Sequence, residues 1–520
     1  MITQDIIADA AVNWPDRVAV IADDGRRTYG ELFDDIEALG AGLEGLVSPG
    51  GVVAILSRNS VAYVTALFGV PGRGAVLAMI NYRLNPREWC WILAESGAEC
   101  LLIEDALVDD FLKARQGGDA LKSIIVLGEA IGGLTPFAEI LDQGRLAPLP
   151  TNARRPSPDA PAHLIYTSGT TGFPKGAVVT HANVLAGVDV LITELDIARF
   201  ATLLMSYPLC HSSAFMATAF LARSAQVVLP IAFDPGRWLE LIARYRVDYS
   251  SLAPTMANFV LSHPDWATAD ISSLKMLGYG GASMPADYLR RFAERASVRF
   301  YAGWGQSETT LMPTFLSPDD HQRGLDGDEK ILTSVGRAAT HCAIRIVDDD
   351  FADVGVNAVG ELCVRTPMVM KGYWNNPEAT AATFRDGWLL TGDLARRDDE
   401  DFIYIVDRKR EMIKSGGQNI YPREVERVLS GHEAVEDAAV LGLPDETWGE
   451  IVVAAVILKP GRPVCAADLS GHCAAELAGY KRPKVFVRMT AFPKNVTGKI
   501  AKRDLRSPVA EMIAAGQTLA

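Results

Sequence analysis

The eleven residues YTSGTTGFPKG, Tyr166–Gly176, put three glycines, four hydroxyl side chains besides the tyrosine, and one lysine into a single stretch between two ordered segments. Gly169, Gly172 and Gly176 permit positive φ and close backbone approach, and successive amides in such a turn form an anion-binding nest. Thr167, Ser168, Thr170 and Thr171 add hydroxyl donors, and Lys175 adds positive charge. That is the chemistry of a phosphate cradle, with a plain Gly/Thr surface turn as the bland alternative. The Gly-Lys-Ser/Thr ending of a Walker A loop is absent, and Pro174 beside Lys175 argues against a helix starting there.

Further along, YAGWGQSETT (301–310) places an aromatic, a hydroxyl and a carboxylate together. Trp304 could stack on a base, Ser307 could bind phosphate, and Glu308 could ligate Mg²⁺, a hard cation that prefers oxygen. In GWLLTGDLA (387–395), Asp393 follows a glycine in a turn, suited to accepting hydrogen bonds from ribose hydroxyls. VDRKREMIKSGGQNIYPREVE (406–426) supplies Arg408 and then the pair Gly416-Gly417, and FPKNVTGKIAKRDLR (492–506) carries Lys499 in a Gly-Lys turn. Each also has a purely structural reading: Trp304 as a core aromatic, Asp393 as a helix cap, Lys499 as a solvated lysine.

The elements that must hold these residues follow a βαβ rhythm. VAVIADDGRRTYGEL reads as a hairpin-like turn entering a helix, with Thr28 and Glu31 spaced as a capping box and Leu32, Ile36, Leu39 and Leu43 at helical spacing. VVAIL (52–56) and GAVLAMI (74–80) are short buried strands around another helical segment, the pattern of a mostly parallel, helix-covered sheet. A proline-rich connector spans 147–162, and a second boundary falls near 406–417, where a dense charge run meets a glycine pair. Beyond it DAAVLGL and EIVVAAVIL read as strands and AADLSGHCAAELAGY as a helix. The 520 residues exceed one ordinary core. Apolar residues at 49% and charged residues at 22% are those of a globular protein, and no run approaches the roughly 18 apolar residues of a membrane span. The net charge of −14 argues against general nucleic-acid binding. The N-terminus lacks the pattern of a signal peptide, and seven scattered cysteines without CxxC spacing suggest thiols in a reducing cytoplasm.

Taken in this order, YTSGTTGFPKG, GYGGASM, YAGWGQSETT, TGDLARRDDEDFIYIVDRKREMIKSGGQNIYPREVE and NVTGK make the chain resemble the adenylate-forming family of acyl-CoA synthetases, carrier-protein adenylation domains and insect luciferases, from about residue 8 to residue 506. The resemblance implies an α/β fold: a large N-terminal domain of layered sheets and helices (1–408) and a small mobile α+β C-terminal domain (409–520). It implies ATP, CoA and Mg²⁺ as cofactors. Thr167, Ser168, Gly169, Thr170, Thr171 and Lys175 would grip the phosphates; Gly280, Gly281 and Ala282 would line the adenine slot under Trp304. Ser307 would contact the α-phosphate, Glu308 and Thr167 would hold the metal, and Asp393 and Arg408 would bind the ribose. Lys499 would reach the reacting carboxylate and α-phosphate, so that Lys499, Glu308 and Thr167 carry the catalysis. Gly416 and Gly417 would flank the CoA side, and Arg410 would be the hinge. Trp304 and Ser307 replace the family's usual Tyr and Thr, keeping the ring and the hydroxyl; Arg410 replaces an Asp or Lys.

The acid is read from MSYPLCHSSAFMATAFLARS (205–224) and GYGGASM. Tyr207, His211, Phe215 and Gly280 are the expected acyl pocket, with His211 equally readable as a core histidine. No cation stands out to pair with a second acidic group, and no carboxylate to pair with an ammonium. The expectation is an apolar monocarboxylate, a fatty acid, with an aryl acid or loading of a carrier protein as alternatives; the Trp-Gly-x-Ser-Glu form at 304–308 resembles medium- and long-chain fatty acyl-CoA ligases, which implies that chain-length class. The expected partners are small molecules, with a homodimer left open.

Overall fold

The computed structural model describes residues 1–115, 120–129, 131–147, 155–167, 174–416, 418–494 and 500–519. The chain divides into two compact units, residues 1–344 with 364–389, and residues 345–363 with 390–520.

In the larger unit, eight strands form a sheet in the order 372–373, 175–180, 161–167, 76–80, 52–56, 98–104, 123–127, 135–136. The strands from 161–167 through to 135–136 run parallel, while 161–167 and 175–180 pair antiparallel. Strand Val52–Leu56 shows why an unbroken apolar run suits this position. Val53 and Ile55 face a core with helices Tyr29–Gly42 and Val61–Gly72, while Val52, Ala54 and Leu56 face Trp89, Ile92 and Phe111 on the other side. Both faces are covered, so every position is buried. The expected capping box starts the first of those helices: Glu31 N–H donates to Thr28 Oγ1 at 3.2 Å and Thr28 N–H to Glu31 Oε2 at 2.8 Å. A second sheet has seven strands in the order 299–302, 276–279, 249–252, 202–204, 226–229, 18–22, 25–28, parallel except for the 18–28 hairpin. Such sheets present their ligand-binding loops at the carboxyl ends of the strands.

In the smaller unit, strands 388–397 and 403–408 pair antiparallel. A five-stranded sheet orders 418–420, 413–415, 449–458 and 435–445, with 485–489 parallel to 449–458. Alternation is clear here: Val440, Val452, Ala454 and Val456 join helices Pro422–Ser430 and Ala466–Glu476 in one core. Ala439, Leu441, Val453 and Ala455 meet helix Lys502–Ala514 on the opposite face. The architecture is the mixed α/β large domain with a smaller α+β domain that the sequence implies. Among the described residues, no helix is long and apolar enough to cross a membrane.

Candidate active site

Strands 161–167 and 175–180 are paired with Tyr166 opposite Gly176 and Thr167 opposite Lys175, so the glycine- and threonine-rich loop joins two antiparallel strands rather than opening a helix. A Cβ on Gly176 would stand 3.1 Å from the Tyr166 ring, a tight contact. Ser168, Gly169, Thr170 and Thr171 lie outside the described residues, as do Gly417 and Lys499. Lys175 opens the returning strand, and its ammonium stands 5.3 Å from the centroid of the Tyr373 ring.

Glu308 sits in the short 3₁₀ turn Ser307–Thr309, 9% exposed. Its Oε1 accepts a hydrogen bond from the Tyr373 hydroxyl at 2.7 Å, and its backbone carbonyl accepts from Met370 N–H at 2.8 Å. Burial first, and then the Glu308 charge, hold the Tyr373 phenol above its ordinary range. The phenol therefore remains a donor and the carboxylate an acceptor. Thr310, just after the turn, sits at φ +62°, unusual for a β-branched residue; its hydroxyl donates to the Met368 carbonyl at 2.6 Å. The turn is thus held from the segment 368–373, which carries none of the motifs singled out in the sequence. Tyr373 is the functional candidate that sequence reading missed. Only the Gly-Tyr pair at 372–373 distinguishes it, and its partners lie 65 and about 200 residues away.

Gly280, Gly281 and Ala282 leave the end of strand Met276–Tyr279, and Trp304 and Ser307 follow the adjacent parallel strand Arg299–Ala302. Among the described residues, and apart from the chain neighbours, no atom lies within 4 Å of a Cβ built on Gly280 or Gly281, and Gly281 takes φ +83°, so the described residues leave this surface open to close approach. Half-buried Trp304 is anchored through its backbone N–H to Thr314 Oγ1 at 3.1 Å. His211 is half-buried, with Nε2 3.2 Å from Asn81 Nδ2; burial, and then Arg83, hold its imidazole down at about 4, neutral at physiological pH. The Tyr207 hydroxyl is buried and without a hydrogen-bond partner among the described residues. Phe215 is fully buried on helix Ser213–Leu221, edge-on to His163 with ring centroids 5.2 Å apart.

In the smaller unit, Asp393 and Arg408 face each other across the antiparallel pair, with Arg408 Nε 2.6 Å from Asp393 Oδ1. Asp393 is 3% exposed, and Gly392 before it takes φ +70°. Arg410 is exposed in a turn in which the Arg408 carbonyl accepts from Glu411 and Met412 N–H. Gly416 takes φ +56° with its N–H donating to the Trp448 carbonyl at 2.8 Å, and a Cβ there would meet the Trp448 ring at 2.8 Å.

No group of three or more His, Cys, Asp or Glu side chains able to hold a metal occurs among the described residues. A lone buried carboxylate such as Glu308, with one oxygen already engaged, fits Mg²⁺, which binds through one or two carboxylates and completes its shell with water and nucleotide phosphates.

The family of AMP-binding enzymes matches residues 7–374, and the AMP-binding enzyme C-terminal domain matches residues 424–499. The chain belongs to the AMP-binding enzymes. This AMP-binding enzyme is an ATP-dependent, AMP-forming acid–thiol ligase, the class of its named curated relatives. It is 33% identical over 502 residues to a medium/long-chain-fatty-acid–CoA ligase of Mycobacterium tuberculosis, covering 93% of this chain and 86% of that protein. It is 36% identical over 488 residues to a feruloyl-CoA synthase of an Amycolatopsis species, covering 92% and 93%. Among solved structures it is similar to the O-succinylbenzoate coenzyme A synthetase of Bacillus subtilis in complex with ATP and magnesium ion, with a TM-score of 0.82, 30% identity, and 96% and 99% of the two chains covered.

Proposed function

We propose that this AMP-binding enzyme joins ATP to an apolar monocarboxylic acid, a medium- or long-chain fatty acid, and transfers the acyl group to CoA with release of AMP and pyrophosphate. The observation that carries the reading is the meeting of Glu308, Tyr373 and Lys175, a carboxylate and a cation from two separate motifs placed on one phenol. Lys175 and the loop before it grip the phosphates, Trp304 stacks on adenine beside Gly280–Ala282, and Asp393 with Arg408 holds the ribose hydroxyls. Glu308 and Thr167 would hold Mg²⁺, which supplies neutralisation of phosphate charge. Lys499 steadies the carboxylate and α-phosphate as charge develops between them. Residues 409–520 then turn about Arg410, with Gly416 and Gly417 on the CoA side, so that the thiol can displace AMP.

The apolar surroundings of Tyr207 support an acid without a second charge. The free state of all seven cysteines suits a reducing, cytoplasmic setting. The test is AMP release over C4 to C16 acids beside benzoate, cinnamate, a dicarboxylate and amino acids, with and without CoA. We expect kcat/KM to rise with chain length, by up to about fourfold per methylene, since each buried CH₂ contributes about 0.8 kcal/mol. A sharp preference for a dicarboxylate or amino acid refutes the apolar reading; CoA-independent turnover refutes the ligase reading.

A further inference from the structure

We infer that Tyr373 is a positioning residue for nucleotide activation: its hydroxyl fixes the Glu308 carboxylate for the metal while its ring backs Lys175 on the phosphate side. The inference rests on the proposal that Glu308 is the metal carboxylate and Lys175 a phosphate ligand.

The geometry around Tyr373 is set by backbone, not by a loose side-chain contact. Gly372 and Tyr373 pair antiparallel with Val178 and Ala177 on the strand that Lys175 opens. Trp374 N–H donates to the Gly176 carbonyl at 2.8 Å, and Tyr373 N–H to Thr380 Oγ1 at 2.9 Å. Gly372 takes φ +150°, and a Cβ there would stand 2.7 Å from a Thr380 methyl, so the sharp approach of this strand to helix Pro377–Thr383 needs glycine. From the other side, Met370 N–H binds the Glu308 carbonyl and Thr310 binds the Met368 carbonyl. One strap is therefore bonded both to the strand after the phosphate loop and to the turn bearing Glu308.

A glutamate side chain has three torsions, and an unrestrained carboxylate samples several of their wells. The phenol occupies Oε1 as a charge-assisted donor and leaves Oε2 for another partner. The same ring offers its π surface to the Lys175 ammonium, an attraction that grows as the cation is desolvated. Tyr373 thus couples two groups that must act on one nucleotide at the same time, and the two functions separate chemically: the hydroxyl serves Glu308 and the ring serves Lys175.

The experiment is ATP binding by isothermal titration, with Mg²⁺ and with EDTA, for the native chain, Glu308→Gln, Tyr373→Phe and Tyr373→Leu, each checked for folding by its melting temperature. The native chain is expected to bind ATP more tightly with Mg²⁺, and Glu308→Gln to lose that gain. Tyr373→Phe should lose about tenfold of the Mg²⁺-dependent gain, the ratio expected for one charge-assisted hydrogen bond, while keeping its affinity in EDTA. Tyr373→Leu should lose affinity in EDTA as well, because the ring is gone. A full Mg²⁺ gain in Tyr373→Phe overturns the positioning role. If Glu308→Gln also keeps the gain, the assignment of Glu308 to the metal falls instead, which separates the two failures. Should Tyr373→Phe fail to fold, the EDTA arm of Tyr373→Leu decides: affinity equal to that of the native chain overturns the coupling.

Discussion

Asp393 and Arg408 show what a residue pair can do that neither does alone. The carboxylate is almost fully buried and held by the guanidinium 2.6 Å away, while the Asp393 backbone N–H, donating to Thr391 Oγ1, fixes the main chain that carries it. A buried, paired carboxylate is a strong acceptor for ribose hydroxyls. Asp393→Asn keeps the shape but removes the charge, and hydrogen bonds to a charged group contribute about 1.5–3 kcal/mol, so ATP binding should weaken by roughly ten- to hundredfold. Titration calorimetry checks this, and an unchanged affinity would refute the ribose role. Sequence reading named both residues from their motifs and could not see that they bond to each other, because the pairing register sets that contact. Tyr373 shows the same limit from the other side. Its neighbours Gly372 and Trp374 signal a turn, but its chemistry comes from Glu308 and Lys175, which tertiary structure alone brings to it. Gly278 is a third case. Opposite Tyr301 in register, it has no side chain because the Tyr301 ring crosses it, with atoms 2.2 Å from where a Cβ would stand, to reach Ser251.

Elements were more legible than contacts. Strands Val52–Leu56 and Val76–Ile80, the Thr28 capping box, and the two long strands of the smaller unit follow from local pattern alone. Helix Pro422–Ser430 opens on a proline but has no local cap, since Tyr421 at its N-cap supplies no side-chain acceptor. The acceptor comes from another strand: fully buried Asp407 takes a hydrogen bond from Arg423 N–H at 3.0 Å. A carboxylate at a helix N-terminus also meets the positive end of the helix dipole. Lys502, on helix Lys502–Ala514, adds charge attraction to Asp407 and pairs with Glu426 at 2.7 Å, so one carboxylate ties two helices to the end of strand Ile403–Arg408. Burial holds the Asp407 carboxyl above its ordinary range, and these donors offset that only in part. Asp407→Ala leaves Arg423 N–H without its acceptor and should destabilise the smaller unit by about 1–3 kcal/mol. Chemical denaturation followed through Trp448 fluorescence measures it; a loss under about 0.5 kcal/mol would show that the cap is idle.

At the scale of the molecule, the larger unit carries a built-in sensitivity to acid. Burial holds His163 down at about 3 and His181, His211 and His321 down at about 4. Burial is what commits them to the neutral form; the Leu67 carbonyl at His163 Nε2 and the Ser317 carbonyl at His321 Nδ1 pull the other way and offset it only in part. In the unfolded chain an imidazole titrates near pH 6.5. Above that pH both states are neutral and the contribution is fully present. As pH falls below 6.5 the unfolded chain binds protons that the folded one refuses, so stability drops by up to about 1.4 kcal/mol per pH unit for each histidine until the folded value is reached. Glu95, whose carboxyl burial raises, works in the opposite sense and gains stability as pH falls. A single-site comparison isolates the histidine effect. For His163 the loss between pH 7 and pH 5 comes to about 2 kcal/mol. Urea unfolding of the native chain and of His163→Gln at pH 7.5, 6 and 5 should therefore give curves that converge as pH falls, the variant being less dependent on pH by that amount. Parallel curves would mean that His163 accepts its proton in the folded state, and that the acid sensitivity of this unit lies in other groups.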